Sequence, residues 1–193
     1  MTKQKQHIFS GQEAAMAYAM AAERIFGNDY EFLNLNPSVI PIFVSQLFQS
    51  LEISIKHAGI ESGLFTEAEA RDRAMRSGHG IKELATLACE RLGGDPFVPI
   101  LMAMTHLNKQ ENSEEVIRLM ICGMEFEKTR LSYATRRLGY AQVADGDFAL
   151  VGDIPSWIAA VKETVNNLPK TIDIISQWKA SPSKSKHFAI WLR

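Results

Sequence analysis

The sequence predicts an all-α protein folded as one domain. Apolar residues recur at spacings of three and four through most of the chain, as on the buried stripe of an amphipathic helix. Residues that start helices, Ser10, Thr66 and Asp153, stand directly ahead of such stretches. No segment alternates apolar and polar residues for long enough to build a sheet. With 193 residues, 46% of them hydrophobic and 22% charged, the chain is of ordinary size for one domain and can bury a sizeable core.

The first helix is expected over 11–26. Ser10 precedes it and Glu13 follows three residues later, the spacing at which the two side chains satisfy each other's backbone N–H groups. Gly27, Asn28 and Asp29 end it, and 30–38 reads as a loop in which Pro37 pushes Asn36 out of the helical region. A longer helix then covers 38–58. Ile40, Phe43, Val44, Leu47, Phe48, Leu51 and Ile55 form its apolar stripe, and Gln46, Gln49, Ser50 and Ser54 are assigned to the other face. A turn follows over 59–66, and Thr66 opens a short charged helix, 67–76, with Glu67 and Glu69 at its positive end.

The glycines around His79 interrupt the helical pattern, and Ile81, Leu84, Ala85, Ala88 and Leu92 restart it. Gly93, Gly94 and Pro96 close that helix; 97–107 and 114–138 are read as two more. Segment 139–152 is compatible with a hairpin around Gly146 and Asp147, and an ordered loop is preferred. Asp153 and Pro155 open a helix to about 167, with Ile154, Trp157, Ile158, Val161, Val165 and Leu168 in register. Pro169 separates it from a last helical piece, 171–178. The domain is thus 1–180, and 181–193 is a Ser/Pro/Lys linker carrying the hydrophobic strip Phe188 to Leu192.

Composition narrows the function classes. The formal charge is −1, so no overall basic field draws in nucleic acid, and RNA binding would need a local patch. The only cysteines, Cys89 and Cys122, sit in apolar stretches without metal-ligand spacing and read as buried thiols of a reducing compartment. No apolar run has the roughly 20 residues of a membrane span, and no signal-peptide pattern opens the chain. A cytoplasmic protein without membrane attachment is expected. Phosphate-loop, zinc-protease and nucleophile-elbow motifs are missing from the sequence, so no metal or cofactor is expected.

Four groups of residues could carry chemistry. Glu52 and Lys56 are four apart in the favourable order on one helix face, as a structural ion pair or as a ligand-facing one. His79, between Gly78 and Gly80 and ahead of a helix start, either lies near amide donors that can hold an anion or closes the bundle. Arg71, Arg73 and Arg76 could bind phosphate by forked donors, although Glu67, Glu69 and Asp72 dilute their field. Lys128, Arg130, Arg136 and Arg137, interleaved with Tyr133 and Tyr140, combine charge with stacking surface as single-stranded nucleic-acid sites do; the plainer reading is arginines favouring a helix C-terminus. Trp157, Trp178 and Trp191 read as core or interface anchors. The strip Phe188, Ile190, Trp191 and Leu192 is too short to fold alone and too apolar for water, so it docks on its own bundle or on another copy, which argues for a homodimer.

The run FQSLEISIKHA at 48–58, the charged connector after it and GHGIKEL at 78–84 together resemble HEPN-domain proteins, which pair an apolar helix carrying Glu-x-x-x-Lys with a Gly-His helix start. The basic and aromatic segment RLSYATRR at 130–137 extends the resemblance, which covers about 37–168. It implies an up-and-down helical bundle, often dimeric, with an extra N-terminal helix and a C-terminal tail. The superfamily holds RNA-cleaving toxins and defence proteins as well as inactive or nucleotide-associated members. Its nucleases carry an Arg, four to six residues, then His. Arg73 and His79 have five residues between them, but Ala74 follows Arg73 where the family has Asn, Asp or His, and the pair lies mid-chain.

The expected function is therefore a non-catalytic helical module, in a defence or toxin–antitoxin setting, that binds a partner protein or a nucleotide or RNA. Its ligand contacts would come from Glu52, Lys56, Arg76, His79, Lys82, Arg130, Tyr133, Arg136 and Arg137. The alternative is a metal-independent endoribonuclease using Arg73 and His79.

Overall fold

The computed structural model describes residues 10–76, the helical positions 84, 87, 88, 90 and 91, and residues 154–180; the side chains at 37, 41, 72–76 and 178 are not among those described. Every regular element in this set is helical, so the all-α expectation holds for the described residues. In chain order they are α1 (Gly11–Phe26), α2 (Tyr30–Leu35), a 3-10 turn (Pro37–Val39), α3 (Ile40–Glu61), α4 (Glu67–Arg76), α5 (Ile154–Asn166) and α6 (Leu168–Ala180). The helices expected over 97–107 and 114–138, the segment 139–152, Cys89, Cys122 and the strip 188–192 lie outside the described residues.

Helix α1 begins as its sequence requires. Ser10 Oγ accepts from the Glu13 amide at 3.1 Å while Glu13 Oε2 accepts from the Ser10 amide at 2.7 Å, so the reciprocal cap is complete. Gly27, at φ 57°, closes the helix with its N–H on Glu23 O.

The loop expected over 30–38 is instead mostly helical. Asp29 Oδ1 accepts from the Phe32 amide at 2.8 Å and caps α2, whose Leu33 enters the core. Tertiary burial of that one leucine stabilises a six-residue helix that propensity alone would not form. Asn36, ahead of Pro37, does leave the helical region, at φ −128° and ψ 63°.

Helix α3 forms the axis of the described part. Its stripe is buried as expected at Phe43, Val44, Leu47, Phe48, Leu51 and Ile55, each side chain contributing about 1.5–3 kcal/mol of hydrophobic stabilisation. Two assignments require correction. Ser50 and Ser54, placed on the polar face, are fully buried, because α1 crosses α3 there. Ser50 Oγ donates to Ala15 O at 2.8 Å and Ser54 Oγ donates to Ser50 O at 2.8 Å, so neither hydroxyl is left without a partner. Ala15, Ala19 and Ala22 share the buried face of α1, and the small side chain of Ala15 lies where the Ser50 hydroxyl reaches the α1 backbone.

The second correction concerns Gly59, read as the start of a turn. Helix α3 continues through it to Glu61, and the ring of buried Phe65 folds back onto it where any Cβ would collide. Gly59 serves close approach, not helix termination. Its carbonyl accepts from the amides of Leu64, at 2.8 Å, and Phe65, at 3.2 Å, which closes the corner into α4.

Helix α4 is capped by Thr66 and Glu69 in the same reciprocal way as α1. Leu84, Leu87 and Ala88 are helical and buried, in line with the expected restart of the apolar period. Helix α5 lays Ile154, Trp157, Ile158, Val161 and Val165 into the same core and packs on both α1 and α3. Pro169 does not separate the last two helices as expected. It is the second residue of α6, where its missing N–H removes no helical hydrogen bond, and the break is at Asn167.

Candidate functional site

Of the ligand contacts expected from the sequence, Glu52 and Lys56 are the pair whose side chains are described. Glu52 belongs to the wall of α3 that faces the protein, and its side chain is 8% exposed; Lys56, one turn on, is 26% exposed. The Lys56 ammonium donates to Glu52 Oε1. Glu52 is thus nearly buried, and its partner Lys56 is about a quarter exposed. An ammonium has three donors, and Glu52 Oε1 takes one of them. His57, next along the helix, is half-buried and packs over Gly11 at the start of α1, so close that a Cβ there would lie 2.6 Å from the His57 ring.

Arg73 and Arg76 are on α4 by their backbone, while their side chains, and His79, Lys82, Arg130, Tyr133, Arg136 and Arg137 entirely, lie outside the described residues. Arg71 is described and forms an exposed i,i+4 ion pair with Glu67, a pairing that holds the arginine on its own helix. The dilution of the α4 basic group by its own acids is therefore visible at Arg71.

A second polar cluster, which no spacing rule picks out, sits at the corner between α3 and α4. Arg91 donates from Nη1 to Leu64 O at 2.7 Å and to Glu69 Oε2 at 3.1 Å, and from Nη2 to Glu69 Oε1. The forked guanidinium matches the carboxylate in the two-point geometry that arginine favours. Glu69 also accepts from the Thr66 backbone and hydroxyl. The Arg91 hydrogen bond, then the Thr66 ones, lower the Glu69 carboxyl from 4.5 to about 2. From the other side Lys179 of α6 donates to Gly63 O. Two cations from distant parts of the chain thus hold the carbonyls of one turn, and the cluster reads as a fastening, since Arg91 is paired with Glu69 and both cations are bonded to the turn's backbone.

Two more long-range contacts fix α5 on α1. Gln12 Nε2 donates to Val165 O at 2.9 Å, satisfying a carbonyl of the last turn of α5, and Lys162 Nζ meets Glu23 at 3.0 Å. Also unexpected is apolar surface around α2: Tyr30, Phe32 and Leu35 are 48%, 40% and 73% exposed, and Ile42 at the start of α3 is 54% exposed.

Among the described residues, no group of three or more His, Cys, Asp or Glu side chains is placed to hold a metal ion. Nor is any helix among them long and apolar enough to cross a membrane. Comparison with models of known families, with curated proteins and with solved structures found no match to this chain.

Proposed function

We propose that this protein is a non-catalytic, HEPN-like helical module, assembling as a homodimer, that binds a phosphate-bearing ligand, either a nucleotide or RNA. One observation supports this reading above the others: the Lys56 ammonium is held by a nearly buried carboxylate on a side chain that stays partly exposed. Such an ammonium is pre-positioned, so an incoming phosphate oxygen gains a charge-assisted hydrogen bond with little further loss of side-chain freedom. Glu52 acts here as a positioning residue. The remaining contacts in this reading are Arg76, His79, Lys82 and the basic and aromatic group Arg130, Tyr133, Arg136 and Arg137.

The test is binding of labelled single-stranded RNA and of a nucleoside triphosphate to the full chain in chelator, for wild type, Lys56→Gln and His79→Ala. The amide of Lys56→Gln still donates to Glu52, which spares the fold. Loss of the charged contact is expected to weaken binding by about tenfold, the equivalent of about 1.4 kcal/mol for one charge-assisted bond. Intact RNA with wild-type binding and weakened Lys56→Gln binding supports the module. Cleavage that disappears in His79→Ala overturns it in favour of the ribonuclease, and equal binding by Lys56→Gln removes Lys56 from the site.

A further inference from the structure

Helix α4 is attached to the fold in two different ways along its length. Its base, the corner over 62–66, is anchored. Leu64 and Phe65 are buried, the Gly59 carbonyl accepts from both their amides, and Lys179 of α6 donates to Gly63 O. Beyond Thr66 the attachment changes character. Glu67, Ala68 and Arg71 are exposed, and Ala70 alone among the described side chains of the helix is buried. Six of its ten residues are charged, which leaves few to hold it by apolar burial. Glu69 is instead gripped by Arg91, which also donates to Leu64 O in the anchored base.

Arg91 thus spans the junction, bonded to the fixed corner on one side and to the helix on the other. Its side chain and that of Glu69 are 37% and 39% exposed, so water and salt compete for the pair and its hold is modest. Local opening draws on segments with few buried apolar contacts, whereas α1, α3 and α5 bury continuous faces. Once undocked, ten residues do not persist as a free helix, because isolated helices below about 12–15 residues are marginal in water. Undocking and uncoiling of α4 are therefore one event.

We infer that α4 is a conformational switch sensitive to ionic strength: Arg91 latches it to the corner, and release of Glu69 lets 67–76 uncoil while α1, α3, α5 and α6 stay folded. Because α4 carries Arg76, a contact in the function proposed above, the latch regulates that site by deciding whether this arginine stands on a helix. That regulatory role rests on the proposed function; the opening itself requires no ligand.

The experiment is amide hydrogen exchange, resolved by residue, on the full chain as wild type, Arg91→Gln and Glu69→Gln, with a denaturant series below the unfolding transition and at about 0.05 M and about 0.5 M salt. Glutamine serves as well as glutamate in the reciprocal cap, so Glu69→Gln removes the charge and keeps the helix start. The reporter is the Ala70 amide, which donates to Thr66 O at 3.0 Å, and the reference is the amide of Leu51 in the middle of α3. In wild type Ala70 should be at least about tenfold less protected than Leu51, with a weaker dependence on denaturant because less surface is exposed by its opening. Either variant should lower Ala70 protection by about fivefold, the upper end for an exposed ion pair, and high salt should do the same in wild type but not in the variants. Ala70 sharing the protection and denaturant dependence of Leu51 in wild type overturns the local opening. Ala70 opening locally but indifferent to both variants and to salt overturns the latch. Neither outcome depends on whether RNA or a nucleotide binds, so failure of the switch and failure of the proposed function are told apart.

Discussion

Where α1 packs on α3, α1 buries Ala15, Ala19 and Ala22 and α3 buries Ser50 and Ser54, and each hydroxyl is bonded to a carbonyl. At the corner between α3 and α4 the contact is made by Arg91, Glu69 and Lys179, whose charged ends are exposed to water. The first region excludes solvent and depends on shape; the second stays wet and depends on charge. Close packing cannot absorb added volume, whereas ion pairs in high dielectric are replaced by water at little cost. The same chain thus holds its helices by two mechanisms that should respond to different perturbations.

The sharpest way to break this contrast is to add volume at the crossing. Ala19→Leu should destabilise the protein by about 3 kcal/mol, the upper part of the range for overpacked cores, since Ala19 is fully buried and α1 and α3 would have to separate. Chemical denaturation measures this, and a loss below half that figure would mean that the crossing has room to spare. Ser50→Ala should cost about 1 kcal/mol in the same assay. It loses the bond to Ala15 O, but that carbonyl belongs to the interior of α1 and keeps its helical partner.

The smallest effect is expected at the corner, and it should depend on pH. Because the Glu69 carboxyl is lowered to about 2 in the folded protein from an ordinary 4.5, the unfolded chain takes up its proton first on acidification. The contribution of Glu69 to stability is therefore present above 4.5 and is lost as pH falls towards about 2. Glu69→Gln should be slightly less stable than wild type near neutrality, and the gap should close across that window. A gap that is constant with pH would show that the Arg91 pairing adds nothing. Raising the salt concentration should narrow the neutral-pH gap and leave the Ser50→Ala cost unchanged.

Local signals carried much of the described fold. Ser10 with Glu13 and Thr66 with Glu69 each marked a helix start, because a cap needs no information beyond four residues. The stripe from Phe43 to Ile55 and the one from Ile154 to Val165 were legible by period alone. Glu52 and Lys56 were legible as a pair for the same reason, since four residues along a helix bring side chains together. The helical class, the caps, the main apolar faces and that ion pair were thus determined by the sequence itself.

Tertiary structure decided what lies across those faces. Burial of Ser50 and Ser54 followed from the small-residue face of α1 arriving 35 residues away in sequence, and serines on an otherwise polar strip gave no sign of it. Helix α2 exists because Leu33 finds the core, and Gly59 stays helical because Phe65 covers it. Arg91 meets Glu69 at a separation of 22, where no helical period links them. Whether Glu52 turned its charge inward or outward was likewise a matter of what packs on α3. Spacing establishes which residues share a face; only the packing of one face on another establishes which of them lose their water.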